Sequence, residues 1–296
     1  MATIGYGEAA RAFVEGWRSV SPAVSVASFD IKTDSDDVAI AEAKYNDFRI
    51  DGVLGVEKIG DALASSKVIF SLVTADNALA AATSAAREIR AGSFYFDCNS
   101  CAPGTKMAAA HHIQASGAIY VDTAILSPVS PALHRTPLIL SGPQADEALS
   151  VLQDLGMNAR CIEGEVGRAS AVKMIRSVMV KGLEALSLEC MLTARKAGVD
   201  GEVLSSLDAS DMRQGWSHQI AYNLERATTH GIRRAAEMRE VARTIEELGL
   251  SPTMATATAQ WQEQAGSLSL ALTAEDPAES ADRILAILAS RPKIAR

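Results

Sequence analysis

The sequence predicts an α/β chain, a Rossmann-type doubly wound parallel sheet followed by an all-α C-terminal domain. Three observations lead there. Strand-like and helical runs alternate through the first half, a glycine turn at residues 5–10 joins the first apolar run to a helix, and strand signals stop after about residue 163. The expected division is residues 1–163 for the sheet domain and 164–296 for the helical one.

The alternation is legible segment by segment. VSVASFD (24–30), DGVLGV (51–56), KVIFSLV (67–73), SFYFD (93–97), AIYVD (118–122) and TPLILSG (136–142) are short and rich in Val, Ile and aromatics. Alanine-rich amphipathic stretches such as 75–91 and 104–116 separate several of them. Strands spaced by helices require right-handed crossovers, and so a mostly parallel sheet. In such sheets ligands bind beyond the carboxyl ends of the strands, near the point where strand order reverses.

The opening turn then acquires a role. In Gly5-Tyr6-Gly7-Glu8-Ala9-Ala10 the first glycine permits a tight turn and the second a close backbone approach to a pyrophosphate. Ala10 takes the third place, where a small side chain lets helix pack on strand. Only four residues precede Gly5, so the first strand is very short. Asp30 closes the second strand, where a carboxylate bonds an adenosine ribose and repels a 2′-phosphate. This favours NAD over NADP, a preference that Lys32 two residues on would blunt.

The helical half opens with one long helix over 167–198, started by Gly167 and stopped by Gly198. It is apolar on nearly every side between Ala169 and Cys190, so burial over most of its surface is expected. At about 100° per residue, Lys173, Ser177, Lys181 and Glu184 fall on one stripe. Lys181 and Glu184, three apart, read as a buried pair. Lys173 has no acidic residue three or four places away, and burial would lower its pKa toward the range useful for proton transfer. A further helix is expected over 229–252, with Gly249 as its stop and most of Arg233, Arg234, Glu237, Arg239 and Glu240 in surface pairs.

Composition excludes several classes. A net charge of −8 with no basic run argues against nucleic acid. No charged region precedes an apolar stretch at the N-terminus, and no apolar segment reaches the roughly 20 residues that span a bilayer. A cytoplasmic protein is expected. Cys98 and Cys101 in DCNSC have a half-zinc spacing, but Cys161 and Cys190 supply no second pair, so no metal site is expected.

Four motifs in order, GYGEAA (5–10), DCNSCAP (97–103), YVDTAILSP (120–128) and GRASAVK (167–173), resemble the β-hydroxyacid dehydrogenases, the group of 6-phosphogluconate and 3-hydroxyisobutyrate dehydrogenases. The later run with KGLEALSLE and HGIRRAAEMREVA is similar to a divergent phosphogluconate-dehydrogenase-like branch. The resemblance implies an NAD(P)-dependent oxidoreductase moving a hydride between nicotinamide and a small β-hydroxy acid or related alcohol or carbonyl. It places the catalytic lysine on Lys173, with Ser177 where the family has asparagine one turn on. Cofactor contacts fall on Gly5, Tyr6, Gly7, Glu8, Ala9, Asp30, Val73, Thr74 and Asn99, and substrate contacts on Asn99, Ser100, Ser127 and Arg176. It also implies a homodimer joined through the helical domains. The chain departs from the family pattern at Asn99-Ser100 (Ser-Thr), Leu126-Ser127-Pro128 (Ser-Gly-Gly) and Ala236-Glu237 (Lys-Asp), which points to a rebuilt substrate pocket. An imine reductase on the same fold and a non-catalytic nicotinamide-nucleotide-binding protein are the alternatives.

Overall fold

The computed structural model describes residues 1–209, 215–247, 249, 251–273 and 275–290, without the side chains of 189, 190, 192, 193, 196, 197 and 216. The chain forms two compact units, Met1–Met174 and Ile175–Arg296.

The first unit is built on eight strands: β1 (Ala2–Ile4), β2 (Ala27–Phe29), β3 (Leu54–Val56), β4 (Val68–Ser71), β5 (Phe94–Asp97), β6 (Ile119–Ile125), β7 (Leu138–Ser141) and β8 (Ala159–Cys161). They form one sheet in the order β3-β2-β1-β4-β5-β6-β7-β8. All neighbours are parallel except β6 and β7, which run antiparallel with Asp122 opposite Ser141. Strand order reverses between β1 and β4, which puts the carboxyl ends of β1, β2, β4 and β5 along one crevice. The helices α1 (Glu8–Val20), α2 (Val38–Ile50), α3 (Ile59–Leu63), α4 (Ala78–Ala85), α5 (Pro103–Ala115) and α6 (Ala145–Asp154) connect the strands.

Strand periodicity sorts the core onto two faces. Ile69, Tyr95 and Tyr120 pack on one side with Ile4, Leu63 and Ile113. Their neighbours Phe70, Phe96 and Val121 pack on the other with Phe13 and Trp17. Phe96 stacks on Phe70 with ring centroids 5.1 Å apart, and Phe70 lies tilted against Trp17 at 5.0 Å. All the strands expected from sequence form, shortened except for β6, which runs on to Ile125. β8 lies outside those runs, because ARC is half-exposed at a sheet edge and lacks an apolar signal. The expected helix over 75–91 shrinks to α4, preceded by a 3₁₀ turn at Ala75–Asn77.

The second unit is helical. α7 (Arg168–Ala197) enters it from the first unit and is followed by α8 (Asp200–Asp208), α9 (Trp216–Glu247), α10 (Thr253–Gly266) and α11 (Pro277–Ser290). α9 starts well before residue 229, where the polar composition of its first turns hides the helical period. Leu188, Met191, Ile220, Leu224, Ala265 and Ile284 form the core of this unit. α7 is not buried all round: Val172, Ile175, Met179, Leu183 and Leu186 are 40–65% exposed in the single chain. Their spacing of three and four residues makes one apolar stripe. No helix among the described residues is long and apolar enough to cross a membrane.

α9 and α10 cross at Gly231 and Gly266, where backbones touch. A Cβ on Gly231 would lie 2.1 Å from the carbonyl oxygen of Gln262, a backbone atom that cannot turn aside. Gly231→Ala is therefore expected to destabilise the chain by about 2–3 kcal/mol despite alanine's better helix propensity. A thermal melt followed by circular dichroism at 222 nm checks this; an unchanged or raised midpoint contradicts it.

Candidate functional site

The glycine turn follows β1 and leads into α1. Gly5 has φ +86°, and a Cβ there would sit 2.5 Å from the Leu72 carbonyl oxygen at the end of β4. The fold itself demands this glycine. Gly7 differs, because it caps α1 with φ −100° and no side-chain cap bond, and a Cβ on it would meet nothing within 4 Å. The protein has no packing need for glycine there, and the first N–H groups of α1 have no side-chain acceptor at the cap. A bare turn at a helix N-terminus fits a pyrophosphate.

Between the glycines, both peptide groups of Tyr6 are held from behind. Its N–H donates to Asp30 Oδ2 at 2.7 Å, and its carbonyl accepts from Lys44 Nζ at 2.7 Å. The Tyr6 ring is buried beside Phe48, and its hydroxyl donates to Asp51 Oδ2 at 3.0 Å. Of the cofactor residues expected here, Tyr6 has its side chain in the core and its backbone N–H and C=O already paired. Burial and the Asp51 charge push that hydroxyl's pKa up. Ala10 is fully buried, Ala9 half-buried and Glu8 exposed. Asp30 follows β2 directly, and its Oδ1 accepts from Lys32 N at 2.9 Å. Both oxygens of this carboxylate are anchored to backbone N–H groups, which fixes its position at the rim of the crevice.

The neighbouring strand ends are bound into the same edge. Asn99 Oδ1 accepts from Val73 N at 2.7 Å, and its Nδ2 donates to Ser71 Oγ at 2.9 Å. Asn99 thus ties the loop after β5 to the loop after β4, a structural use of an amide that sequence alone assigned to ligand contacts. Thr74 Oγ1 accepts from Asn77 Nδ2 at 2.9 Å. Ser100 Oγ accepts from Lys173 Nζ. Ser127, just beyond β6, shares a hydrogen bond with Thr136 at 2.9 Å. Lys173 is half-buried rather than enclosed, because the helix around it keeps an open face.

Beneath this edge lies a cluster that the sequence reading missed. Lys106 on α5 is fully buried, with Nζ 2.8 Å from Asp97 Oδ1 and 3.5 Å from Asp122 Oδ1, both carboxylates being fully buried too. Tyr120 donates to Asp97 Oδ2 at 2.7 Å. Burial opposes the charge on Lys106, but the two aspartates outweigh it and raise its pKa. The signal was present: Lys106 stands in the stripe with Ala109, Ala110 and Ile113, a lysine among core positions. Cys98 is buried nearby, its thiol pushed up to about 12, chiefly by burial. No group of possible metal ligands forms among the described residues. The side chain of Cys190 lies outside them.

The helical unit holds its own polar cluster. Lys181 Nζ lies 2.8 Å from Glu237, and Glu184 pairs with Arg234 and accepts from Gln262 Nε2 at 3.2 Å. The expected Lys181–Glu184 pair does not form, because α9 presents a carboxylate to one and a guanidinium to the other. Each buried charge takes an interhelical partner. Arg234, Glu237 and Glu240 are accordingly buried, not on the surface. Ser177 Oγ accepts from Lys181 Nζ at 3.2 Å, whereas Arg176 is exposed. Burial lowers the Lys181 pKa, against the pull of Glu237.

A doubly wound sheet with a bare glycine turn, a fixed aspartate at the second strand and a lysine at the carboxyl edge defines a nicotinamide-dinucleotide-binding α/β protein. Comparison with known proteins makes this specific. Residues 18–167 match the family described as the NAD binding domain of 6-phosphogluconate dehydrogenase, and residues 194–265 match a domain of unknown function, DUF1932. A conserved hypothetical protein from Sinorhizobium meliloti 1021 is 32% identical with a TM-score of 0.71, covering 96% of this chain and 95% of its own. A conserved protein of unknown function, MTH1747, whose structure was reported to resemble 3-hydroxyacid dehydrogenases, is 28% identical with a TM-score of 0.65, covering 91% and 99%. The 3-hydroxyisobutyrate dehydrogenase of Mycobacterium tuberculosis shares the fold at 13% identity, with a TM-score of 0.71 over 96% and 98%. The chain belongs to the β-hydroxyacid dehydrogenase-like family, in the branch with a DUF1932 C-terminal domain.

The two glycines separate experimentally. Gly7→Ala is expected to leave the melting temperature unchanged and weaken NADH binding by about tenfold or more, because the new methyl group occupies ligand space. Gly5→Ala is expected to lower the melting temperature sharply. Calorimetric titration and thermal melts of both variants test this, and equal behaviour of the two contradicts it.

Proposed function

We propose that the chain is an NAD(P)-dependent dehydrogenase acting on the CH–OH group of a small β-hydroxy acid or a related alcohol or carbonyl. The observation that carries this reading is the Lys173 ammonium held on Ser100 at the carboxyl edge of the sheet. The dinucleotide would be held by the turn from Gly5 to Ala9, by Asp30 and by the Val73–Thr74 loop, and when bound would accept or supply the hydride. Lys173 takes the hydroxyl proton during oxidation and returns it during reduction. Ser100 fixes the direction of the lysine head group, and with Ser127 offers hydroxyls to the substrate. Asn99 holds the Val73–Thr74 loop against the nicotinamide side of the crevice. Ser177 and Arg176 are the helical unit's contributions, Arg176 toward an anionic group. Residues 1–163 serve the dinucleotide, and 164–296 serve substrate and assembly.

NAD is the favoured cofactor. Asp30 cannot swing aside while two backbone N–H groups hold its oxygens, so its charge stands against a 2′-phosphate. The exposed stripe on α7 supports a homodimer, since a second copy would cover Val172, Ile175, Met179, Leu183 and Leu186. No nucleic acid or membrane partner is proposed, and a cytoplasmic location is the reading that accompanies this function.

Three experiments decide. Titration with NADH and NADPH is expected to show tighter binding of NADH. With a turnover screen over 3-hydroxyisobutyrate, 3-hydroxypropionate, 6-phosphogluconate and cyclic imines, Lys173→Ala is expected to lose about a thousandfold in kcat while NADH affinity holds. Turnover of imines alone, or a Lys173→Ala variant as active as the parent, rejects the reading. Light scattering at micromolar concentration is expected to give twice the chain mass, and Met179→Glu with Leu183→Glu is expected to halve it.

A further inference from the structure

Lys106 touches neither crevice nor solvent, yet its two carboxylate partners reach outward in different directions. Asp97 Oδ1 also accepts from Asn99 N at 3.0 Å, which closes the turn that presents Ser100. Asp122 Oδ2 accepts from Gly167 N and Ser170 N, both at 3.0 Å, and from Ser141 Oγ at 3.2 Å. Ser141 Oγ in turn accepts from Ala169 N at 2.9 Å. Asp122 is therefore the cap of α7, the helix that presents Lys173. The two members of the Ser100–Lys173 contact hang on two different carboxylates, and one buried ammonium joins those carboxylates.

We propose that Lys106 is the positioning residue of this site, setting the Ser100 turn and the start of α7 in register through Asp97 and Asp122. The inference rests on the reading of Lys173 as the acid–base group. Without Lys106, two buried carboxylates face each other with no cation between them. Repulsion drives them apart, and each carries its own segment with it. A displacement of the order of 1 Å at a reacting pair can cost about 100-fold in rate.

The test is Lys106→Met, which keeps most of the length of the side chain and removes the charge. Hydrogen–deuterium exchange reads the geometry without any substrate, so it decides even if no hydroxy acid is turned over. Uptake is expected to rise at residues 98–101 and 167–173 and to stay at the parent level in β1 and β4, with NADH affinity within about twofold. Where turnover is found, kcat is expected to fall by about 30–100-fold with little change in the KM for NAD. Lys106→Arg restores a cation and should regain most of the loss.

Unaltered exchange at both segments overturns the proposal, as does exchange raised through the whole sheet with loss of NADH binding. Should Lys106→Met not fold, Asp97→Asn/Lys106→Met removes one charge of each sign. It is expected to expose 98–101 while 167–173 stays protected by Asp122. Equal uptake at the two segments in that variant would refute separate anchoring.

Discussion

A single buried ammonium between two buried carboxylates is the constraint on which the carboxyl edge of the sheet depends. Lys106, Asp97 and Asp122 are all fully buried, so none can rely on water. The cluster holds one more negative charge than positive, and the N-terminus of α7 offsets the excess with backbone N–H groups aimed at Asp122. Electrostatic necessity and helix geometry therefore reinforce each other. The same requirement that keeps a buried carboxylate satisfied also fixes where the long helix starts. From that start, Lys173 reaches Ser100 because the Ser100 turn is capped by the other carboxylate.

The glycine turn obeys a comparable logic from the opposite end of the crevice. Asp30 and Lys44 hold the two polar groups of the Tyr6 peptide, so the turn is rigid with no ligand contact of its own. Gly5 answers to the backbone of β4, and Gly7 answers to nothing inside the protein. Two residues that look equivalent in a motif thus have different physical reasons to be glycine. Rigid placement of backbone donors lowers the ordering cost that a phosphate would otherwise meet on binding.

The helical unit solves its charge problem between helices. Lys181 and Glu184 share a face of α7, yet each takes its partner from α9, with Gln262 of α10 completing the shell around Glu184. Interhelical pairing serves two buried charges better than a pair within one helix, because a neighbouring helix can bring the matching group head-on. The apolar stripe on α7 stays exposed in the single chain.

The periods of the sequence determined the fold class, because alternation at two and at 3.6 residues is a local property of the chain. They also placed the glycine turn, Asp30 and the limits of α7 at Gly167 and Gly198, where left-handed backbone needs glycine. What tertiary structure decided was partnership. That Asn99 is spent on Ser71 and Val73, that Lys181 meets Glu237, and that Lys106 joins Asp97 to Asp122 all depend on which strands and helices become neighbours. A sequence pattern shows that a charge falls on a buried face. The partner that makes the burial tolerable lies tens of residues away, and only the folded chain brings it there.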